Sequence, residues 1–374
     1  MRVLFSFLPH WSHFAPMVPL ASVLQARGHD VLVSAPADLA PRITGAGLSH
    51  VPVLDELDVA SLAGFGPRGE KLPEPSTMSG KLTREGRGFG RASRLLLEPT
   101  GRLLDTWRPD LVVTDVVEFG ARIAAARRDI PVVLHEWGMP IPAEIPPASR
   151  EELADELAAA DVDHPALTIQ ARPAELYGAT PDVQRMRFIP FNGTGSLPLW
   201  TLRPSGRPRV CLTSGNTAGN SPRAAGRLAE TARRLIGDGF EVLLAVGHRV
   251  RPDLPELPDD VRLIGWLPLG KILPTCDALV HHGGSGSTMT ALALGVPQVA
   301  MSLFTDEFGY AGDVARLGVG VALTTGTTDP GDVADTCAKL VAEPAYRQRA
   351  AQVRAGIEAQ PSPVEVAGIV ERLL

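Results

Sequence analysis

Residues 277–308, DALVHHGGSGSTMTALALGVPQVAMSLFTDEF, decide the fold. The run 278–281 (ALVH) is short, apolar and bounded by polar residues, which predicts a buried strand. Glycines 283, 284 and 286 break it, and 287–294 (STMTALAL) then predicts a helix, ended by Gly295 and Pro297. PQVAMSLF follows as a second strand. Strand, tight turn, helix and strand in immediate succession form the repeating unit of a parallel α/β sheet.

The same alternation extends outward on both sides. Upstream, RVCLTSG predicts a strand, 222–236 a helix, and FEVLLAVG and VRLIGW two further strands. The N-terminal half opens with a strand at 2–8 (RVLFSFL), a helix over 14–26 ending at Gly28, and a strand at 31–35. Pro16 and Pro19 fall at or before that helix's first turn, where a missing N–H does little harm. Strands at 110–115 (DLVVTD) and 130–137 (IPVVLHEW) flank a helix over 119–128. The stretch 64–90, rich in Gly, Pro, Lys and Arg and without periodicity, is expected to be a mobile loop. SREELADELAAA (149–160) is expected to be a helix whose Ser149 N-cap and Glu152 form a capping box. Pro and Gly crowd into 188–208, the best linker candidate. Val366, Ile369, Val370, Leu373 and Leu374 form a helical apolar stripe that must pack on something. At 374 residues the chain is too long for one core, so two similarly wound α/β domains are expected.

Composition narrows the function. Hydrophobic residues at 44% and charged residues at 21% describe an ordinary globular protein. A net charge of −6 argues against a nucleic-acid partner, and 5% aromatics against a base-stacking platform. Cys211, Cys276 and Cys337 are scattered and odd in number, so free thiols in a reducing compartment are expected. The N-terminal apolar run is broken by Pro9 and His10, which fits a strand better than a signal peptide, and no apolar window is long enough to span a membrane. A cytoplasmic location follows. NGT at 192–194 matches a glycosylation acceptor but has no use without secretion.

The chemistry gathers in the stretch first quoted. Gly283, Gly284 and Gly286 let backbone N–H groups approach a ligand, and the helix start adds unpaired N–H groups and the positive end of its dipole. With the hydroxyls of Ser285, Ser287 and Thr288, these make a site for a phosphate or pyrophosphate, to which His282 can add a hydrogen bond. The pattern is neither a Walker loop nor GxGxxG. The alternative is a turn serving packing alone, with His282 a core histidine. Asp306 and Glu307 lie beyond the next strand, where open α/β sheets bind ligands, and carboxylates there can grip sugar hydroxyls; a solvated loop end is the alternative. DVD at 161–163 has the DxD form that holds divalent ions elsewhere, but it closes an acidic helical run, so no metal site is assigned. At the other end of the chain, His13 is suited to act as a base, because imidazole is partly neutral near pH 7.

GWLPLGKILPTCDALVHHGGSGSTMTALALGVPQ…TDEF resembles the donor-binding signature of the inverting GT-B glycosyltransferases that use nucleotide sugars, in the bacterial branch acting on macrolides and aromatic polyketides. WSHFAPMVPLASVLQARGHDVLV resembles that family's acceptor-side opening. The resemblance covers nearly the whole chain. It implies two Rossmann-like domains facing across a cleft: an acceptor-binding domain over 1–190, a linker over 191–208, a nucleotide-sugar domain over 209–357, and a helix over 358–374 crossing back to the first domain.

By the same resemblance His13 is the catalytic base and Asp115 orients it. Trp266 stacks on the nucleotide base and the Leu267 backbone bonds it. Ser214 and Gly215 approach the phosphates; His282, Gly284, Gly286, Ser287 and Thr288 contact the pyrophosphate; Asp306 and Glu307 hold the sugar. Two departures stand out: Ser12 precedes His13 where glycine is common, and Leu269 stands where plant members carry glutamine. The implied reaction moves a sugar, often a deoxysugar, from a thymidine or uridine diphosphate donor to a hydrophobic aglycone, with inversion, O- or C-linked, and without metal or cofactor. Phe7, Leu8, Trp11, Phe14 and HEWGMPIP would line the aglycone pocket. The partners are these two small molecules, and a homodimer is admitted. The rival readings are a nucleotide-sugar 2-epimerase of the same fold and a non-catalytic auxiliary homologue.

Overall fold

The computed structural model describes residues 1–66, 69–176, 182–203, 205–215, 222–247, 253–263, 265, 268–302, 305–324 and 328–374. The chain divides into two units, Met1–Arg172, Gly178–Arg187 and Gln360–Leu374 in the first, Pro173–Tyr177 and Phe188–Ala359 in the second.

The first unit is built on seven parallel strands: β1 (Arg2–Ser6), β2 (Asp30–Ala35), β3 (Ser49–Pro52), β4 (Leu111–Asp115), β5 (Val132–His135), β6 (Leu167–Gln170) and β7 (Gln184–Arg185). Their spatial order is 3-2-1-4-5-6-7. The second unit holds six: β8 (Arg209–Thr213), β9 (Glu241–Ala245), β10 (Val261–Leu263), β11 (Ala278–His281), β12 (Gln298–Ser302) and β13 (Gly320–Thr324), in the order 10-9-8-11-12-13. The two sheets share one winding, with the first strand of each paired on both sides, β1 to β2 and β4, β8 to β9 and β11. The central strands β4, β8 and β11 are buried at every residue. Helices cover both faces of such sheets, which is why the strands read as continuous apolar runs and not as alternating ones.

The N-terminal helix is segmented. A four-residue helix, Trp11–Phe14, passes through a 3-10 turn, Ala15–Met17, into the helix Val18–Ala26, with Pro16 and Pro19 each in a first turn. The chain returns to the first unit at Gln360, whose amide donates to the Arg172 carbonyl. There Ser362 and Glu365 form a capping box, and the helix Pro363–Val370 packs its Val366, Ala367 and Val370 face on Val18–Ala26.

Two expectations are corrected. The stretch 64–90 is not a loop: a 30-residue helix, Met78–Trp107, begins inside it, capped by the Thr77 hydroxyl on the Gly80 N–H. Its glycines are contact points, not breaks. A Cβ on Gly86 would stand 2.5 Å from the Ile145 carbonyl, and one on Gly90 2.6 Å from that of Ser149. A four-residue spacing puts both on the side that meets the helix Ile145–Glu152, and Gly88 meets Ala63 of the helix Val59–Gly64 in the same way. The second correction concerns Ser149, which is not a cap. It lies inside Ile145–Glu152, wholly buried, donating to the Gly86 carbonyl at 2.8 Å, and a separate short helix follows at Ala154–Ala158.

This packing reverses an ordinary expectation. In an open helix, Gly→Ala stabilises by up to about 1 kcal/mol. Gly90→Ala is expected to destabilise by about 2 kcal/mol, because backbone on the neighbouring helix must move. Gly356→Ala, at a helical position with nothing within 4 Å of its Cβ, is the control and should stabilise. Urea denaturation of the two variants measures both signs.

Candidate active site

In an open parallel sheet the loops from the carboxyl ends of the strands diverge where the winding reverses, and ligands bind there. In the first unit that point lies between β1 and β4, in the second between β8 and β11. His13 follows β1 and Asp115 ends β4. Ser214 and Gly215 follow β8 and His282 follows β11. Each unit therefore presents candidate side chains at its own switch point.

His13 is 7% exposed, and its Nδ1 lies 3.0 Å from Asp115 Oδ2. Asp115 is wholly buried. The same Oδ2 accepts the Leu8 N–H at 2.7 Å, while Oδ1 accepts the Val117 and Glu118 N–H groups, both at 2.8 Å. Burial alone would raise this carboxyl. The attraction of His13, its hydrogen bond and the backbone donors outweigh burial and hold Asp115 below the usual carboxylate range. An ionised Asp115 can only accept, so the proton of a neutral His13 sits on Nδ1 and the lone pair on Nε2. Trp137 lies against the imidazole with centroids 4.3 Å apart, and Phe89 meets it edge-on at 6.1 Å. Neighbouring His10 is held neutral, its pKa lowered to about 4 by burial and by His13.

In the second unit the helix Ser285–Leu294 starts from Gly284, which has no side chain to cover the first-turn N–H groups. Side chains cap some other helix starts, those at Asp58, Thr77, Glu118, Asp329 and Ser362, and leave others open, as before Ile145–Glu152 and Pro344–Glu358. An uncapped start beside a glycine turn is ready for an anion. His282 stands over it, its ring closely hemmed: a Cβ on Gly215 would reach the ring at 2.1 Å and one on Gly284 at 2.4 Å. Burial lowers its pKa to about 4, so the imidazole is neutral near pH 7. Its Nδ1 and the Ser214 hydroxyl are buried with no hydrogen-bond partner among the described residues. Glu307, in the first turn of the helix Thr305–Arg316, is buried, with its carboxylate 3.9 Å from His282 Nε2. His281 has a structural part. It ends β11, accepts the Gly283 N–H at 3.1 Å on Nδ1 and bonds Gln298 at 3.0 Å through Nε2.

Each sequence-derived residue can now be placed. His13 and Asp115 are in direct contact; Gly215, Gly284 and Glu307 gather around the His282 imidazole, and Ser214 precedes Gly215 in the chain. Gly286 and Ser287 lie in the helix's first turn, and Asp306 beside Glu307. Thr288 is wholly buried, and its hydroxyl donates to the Gly284 carbonyl at 3.0 Å, which ties the turn. Trp266 and Leu267 lie outside the described residues. Phe7, Leu8 and Phe14 are at most 1% exposed and belong to the core; of the four aromatic and aliphatic residues expected to line a pocket, only Trp11 is part-exposed. Asp163 of DVD pairs with Arg150 through both oxygens, and among the described residues no cluster of His, Cys, Asp or Glu could hold a metal ion. Among them, too, no helix is long and apolar enough to cross a membrane, and the three cysteines are free thiols.

Sequence reasoning missed Trp137, Phe89 and Glu118. Trp137 stood in the quoted HEWGMPIP only as a pocket-lining candidate, not as a neighbour of His13, and Phe89 in the stretch expected to be a loop. Glu118, three residues after Asp115, carried a signal in the N-cap position before 119–128.

Two sheets of identical winding, one with a buried histidine–carboxylate pair and the other with an uncapped glycine-rich helix start, define the GT-B class of glycosyltransferase. Residues 22–215 match the family model described as Erythromycin biosynthesis protein CIII-like, N-terminal domain, and residues 232–373 match its C-terminal counterpart. The chain is 36% identical to an L-demethylnoviosyl transferase of Streptomyces niveus, over 98% of this chain and 97% of that one. It is 34% identical to the elloramycin glycosyltransferase of Streptomyces olivaceus, over 98% and 96%. Among solved structures, a Streptomyces sp. SF2575 glycosyltransferase complexed with thymidine diphosphate superposes with a TM-score of 0.89 at 30% identity, over 100% of this chain and 99% of that one. The chain belongs to the erythromycin CIII-like family of glycosyltransferases.

Proposed function

We propose that this enzyme transfers a sugar from a thymidine diphosphate donor to a hydrophobic natural-product aglycone, with inversion at the anomeric carbon. The observation that carries the reading is the buried His13–Asp115 pair. An imidazole whose Nδ1 is held by an ionised carboxylate is a fixed-tautomer base. It takes a proton from an acceptor hydroxyl through Nε2, and Asp115 stabilises the imidazolium that forms. The names of the relatives, an L-demethylnoviosyl transferase and an elloramycin glycosyltransferase, favour a natural-product acceptor, and the thymidine diphosphate held by a solved neighbour favours that nucleotide. O-transfer and transfer to a carbon beside a phenol need the same base.

On the donor side, the Ser285–Leu294 helix start and the His282 ring meet the departing diphosphate. These groups are oriented before the reaction, so charge developing on the leaving oxygen is met without reorganisation and without a metal ion. Glu307 and Asp306 accept hydrogen bonds from the sugar hydroxyls. The order of events is one in-line displacement. The acceptor oxygen loses its proton to His13, the new glycosidic bond forms, and the bond to the diphosphate breaks.

Calorimetry with thymidine and uridine diphosphates, in metal-free buffer, tests this. Micromolar binding is expected for the thymidine form and weaker binding for the uridine form. His282→Ala is expected to weaken the first by roughly 10- to 100-fold, the range for a lost hydrogen bond to a charged group. A folded protein that binds neither nucleotide would overturn the reading.

A further inference from the structure

We propose that Glu118 is a positioning residue of the reaction: a second buried carboxyl group that holds the Asp115 turn and, through its own proton, sets the base strength of His13. The inference rests on the reading of His13 as the base.

The geometry comes first. Glu118 is wholly buried at the start of the helix Phe119–Ala126. Its backbone N–H donates to Asp115 Oδ1, and its own carboxylate caps the helix through the Ala121 N–H at 2.9 and 3.1 Å. The hydroxyls of Ser6 on β1 and Thr114 on β4 approach Oε2 at 3.3 and 3.2 Å. These strands pair across the switch point, Ser6 opposite Thr114. One carboxyl group thus joins the two strands that carry the dyad to the helix behind them. Ser93 of the long helix closes the turn, accepting the Phe119 N–H and donating to the Val117 carbonyl.

The charge follows from that placement. Burial, then the negative charge of Asp115, raise the Glu118 pKa to about 7. The other charged groups on the elements packed here are Arg122 on its own helix, with Arg150 and Asp163 around it, and the Arg91–Glu152 pair between the long helix and Ile145–Glu152. His13 bonds Asp115, and His135 pairs with Asp115 across β4 and β5; burial keeps His135 neutral, its pKa lowered to about 4. Arg122 donates to the Val116 and Val162 carbonyls, so no cation bonds directly to Glu118 among the described residues. Near neutral pH the carboxyl is therefore divided between its two forms. Ionised, it adds a second negative charge behind Asp115 and favours the His13 imidazolium; protonated, it does not.

Two measurements test this, neither dependent on turnover. The folded chain binds more protons at Glu118 than the unfolded chain between the ordinary carboxyl value of 4.5 and about 7. Its contribution to stability therefore falls as pH rises through that window and is level above it. Glu118→Gln removes the loss, so the difference in Tm, variant minus wild type, is expected to grow with pH across the window. Secondly, the His13 ring, followed by NMR titration, is expected to have its midpoint moved downward in Glu118→Gln, the direction that follows from losing a nearby negative charge. A glutamine that only disturbed packing would change Tm equally at all pH values and leave the His13 midpoint in place; that result overturns the proposal. Should the variant not fold, carboxyl titration of Glu118 in the wild type decides: a midpoint near neutrality that also appears in the His13 curve supports the coupling, and one in the ordinary carboxylate range overturns it. Failure of the base reading shows separately, as turnover retained by His13→Ala.

Discussion

His13→Ala is expected to lower kcat by roughly three orders of magnitude, the middle of the range for a lost general base, while the Kd for thymidine diphosphate stays unchanged. The two readouts separate because the diphosphate is assigned to the second unit and His13 belongs to the first. The substitution does more than remove a base. Asp115 is wholly buried and loses one of its hydrogen-bond partners, keeping the Leu8, Val117 and Glu118 N–H groups. Trp137 loses the ring it lies against. A destabilisation of about 1–3 kcal/mol is expected from the carboxylate alone. His13→Asn distinguishes the effects, since its amide can take the place of Nδ1 toward Asp115 but offers no base. It is expected to recover stability and none of the rate. Turnover by His13→Ala above about a tenth of wild type would place the base elsewhere, given the 10²–10⁴-fold range for this kind of catalysis.

Why some of this was legible in the sequence and some was not has a physical reason. The strands that carry the site, β1, β4, β8 and β11, are buried apart from Arg2 and each runs through three consecutive apolar residues, 3–5, 111–113, 210–212 and 278–280, so they stood out without any partner being known. The loops after them carry histidine, glycine and hydroxyl residues that a packed core does not call for, and that contrast marked His13 and His282. The long helix was hidden because its signal is tertiary. Gly86, Gly88 and Gly90 resemble breakers until two other helices are seen to need the space a Cβ would fill. Ser149 misled for the same reason: its hydroxyl has the right spacing for a cap but is taken by the Gly86 carbonyl 63 residues away. Glu118 shows the limit on the chemical side. Its cap and its place three residues after Asp115 were visible locally, but its burial and its contact with Ser6 arise only when β1, β4 and the following helix are assembled. Phe7, Leu8 and Phe14 carry the opposite lesson, since an apolar loop beside a candidate base can simply be core.

Gly215→Ala is expected to weaken thymidine diphosphate binding by about two orders of magnitude without unfolding the protein, although no side chain is lost. Gly215 has φ +68°, in the left-handed region, where a Cβ alone costs about 1 kcal/mol. The larger effect lies in what the Cβ meets. It would stand 2.1 Å from Cε1 of His282 and within 2.7 Å of both ring nitrogens, so the imidazole must leave its position. With it goes the hydrogen bond to the diphosphate, roughly 1.5–3 kcal/mol for a charged acceptor. A double-mutant cycle decides whether His282 carries the effect. In a His282→Ala background the clash is gone, so Gly215→Ala should add little beyond its backbone strain. Gly284→Ala provides the complementary case. Its φ of −63° suits alanine, but its Cβ would come within 2.4 Å of His282 Nε2, so any loss there reports the ring alone. Additive effects of Gly215→Ala and His282→Ala would show that the glycine meets the nucleotide directly through its backbone. A strongly sub-additive cycle, with Gly284→Ala weakening binding in step, would show that both glycines serve to hold one imidazole over the helix start.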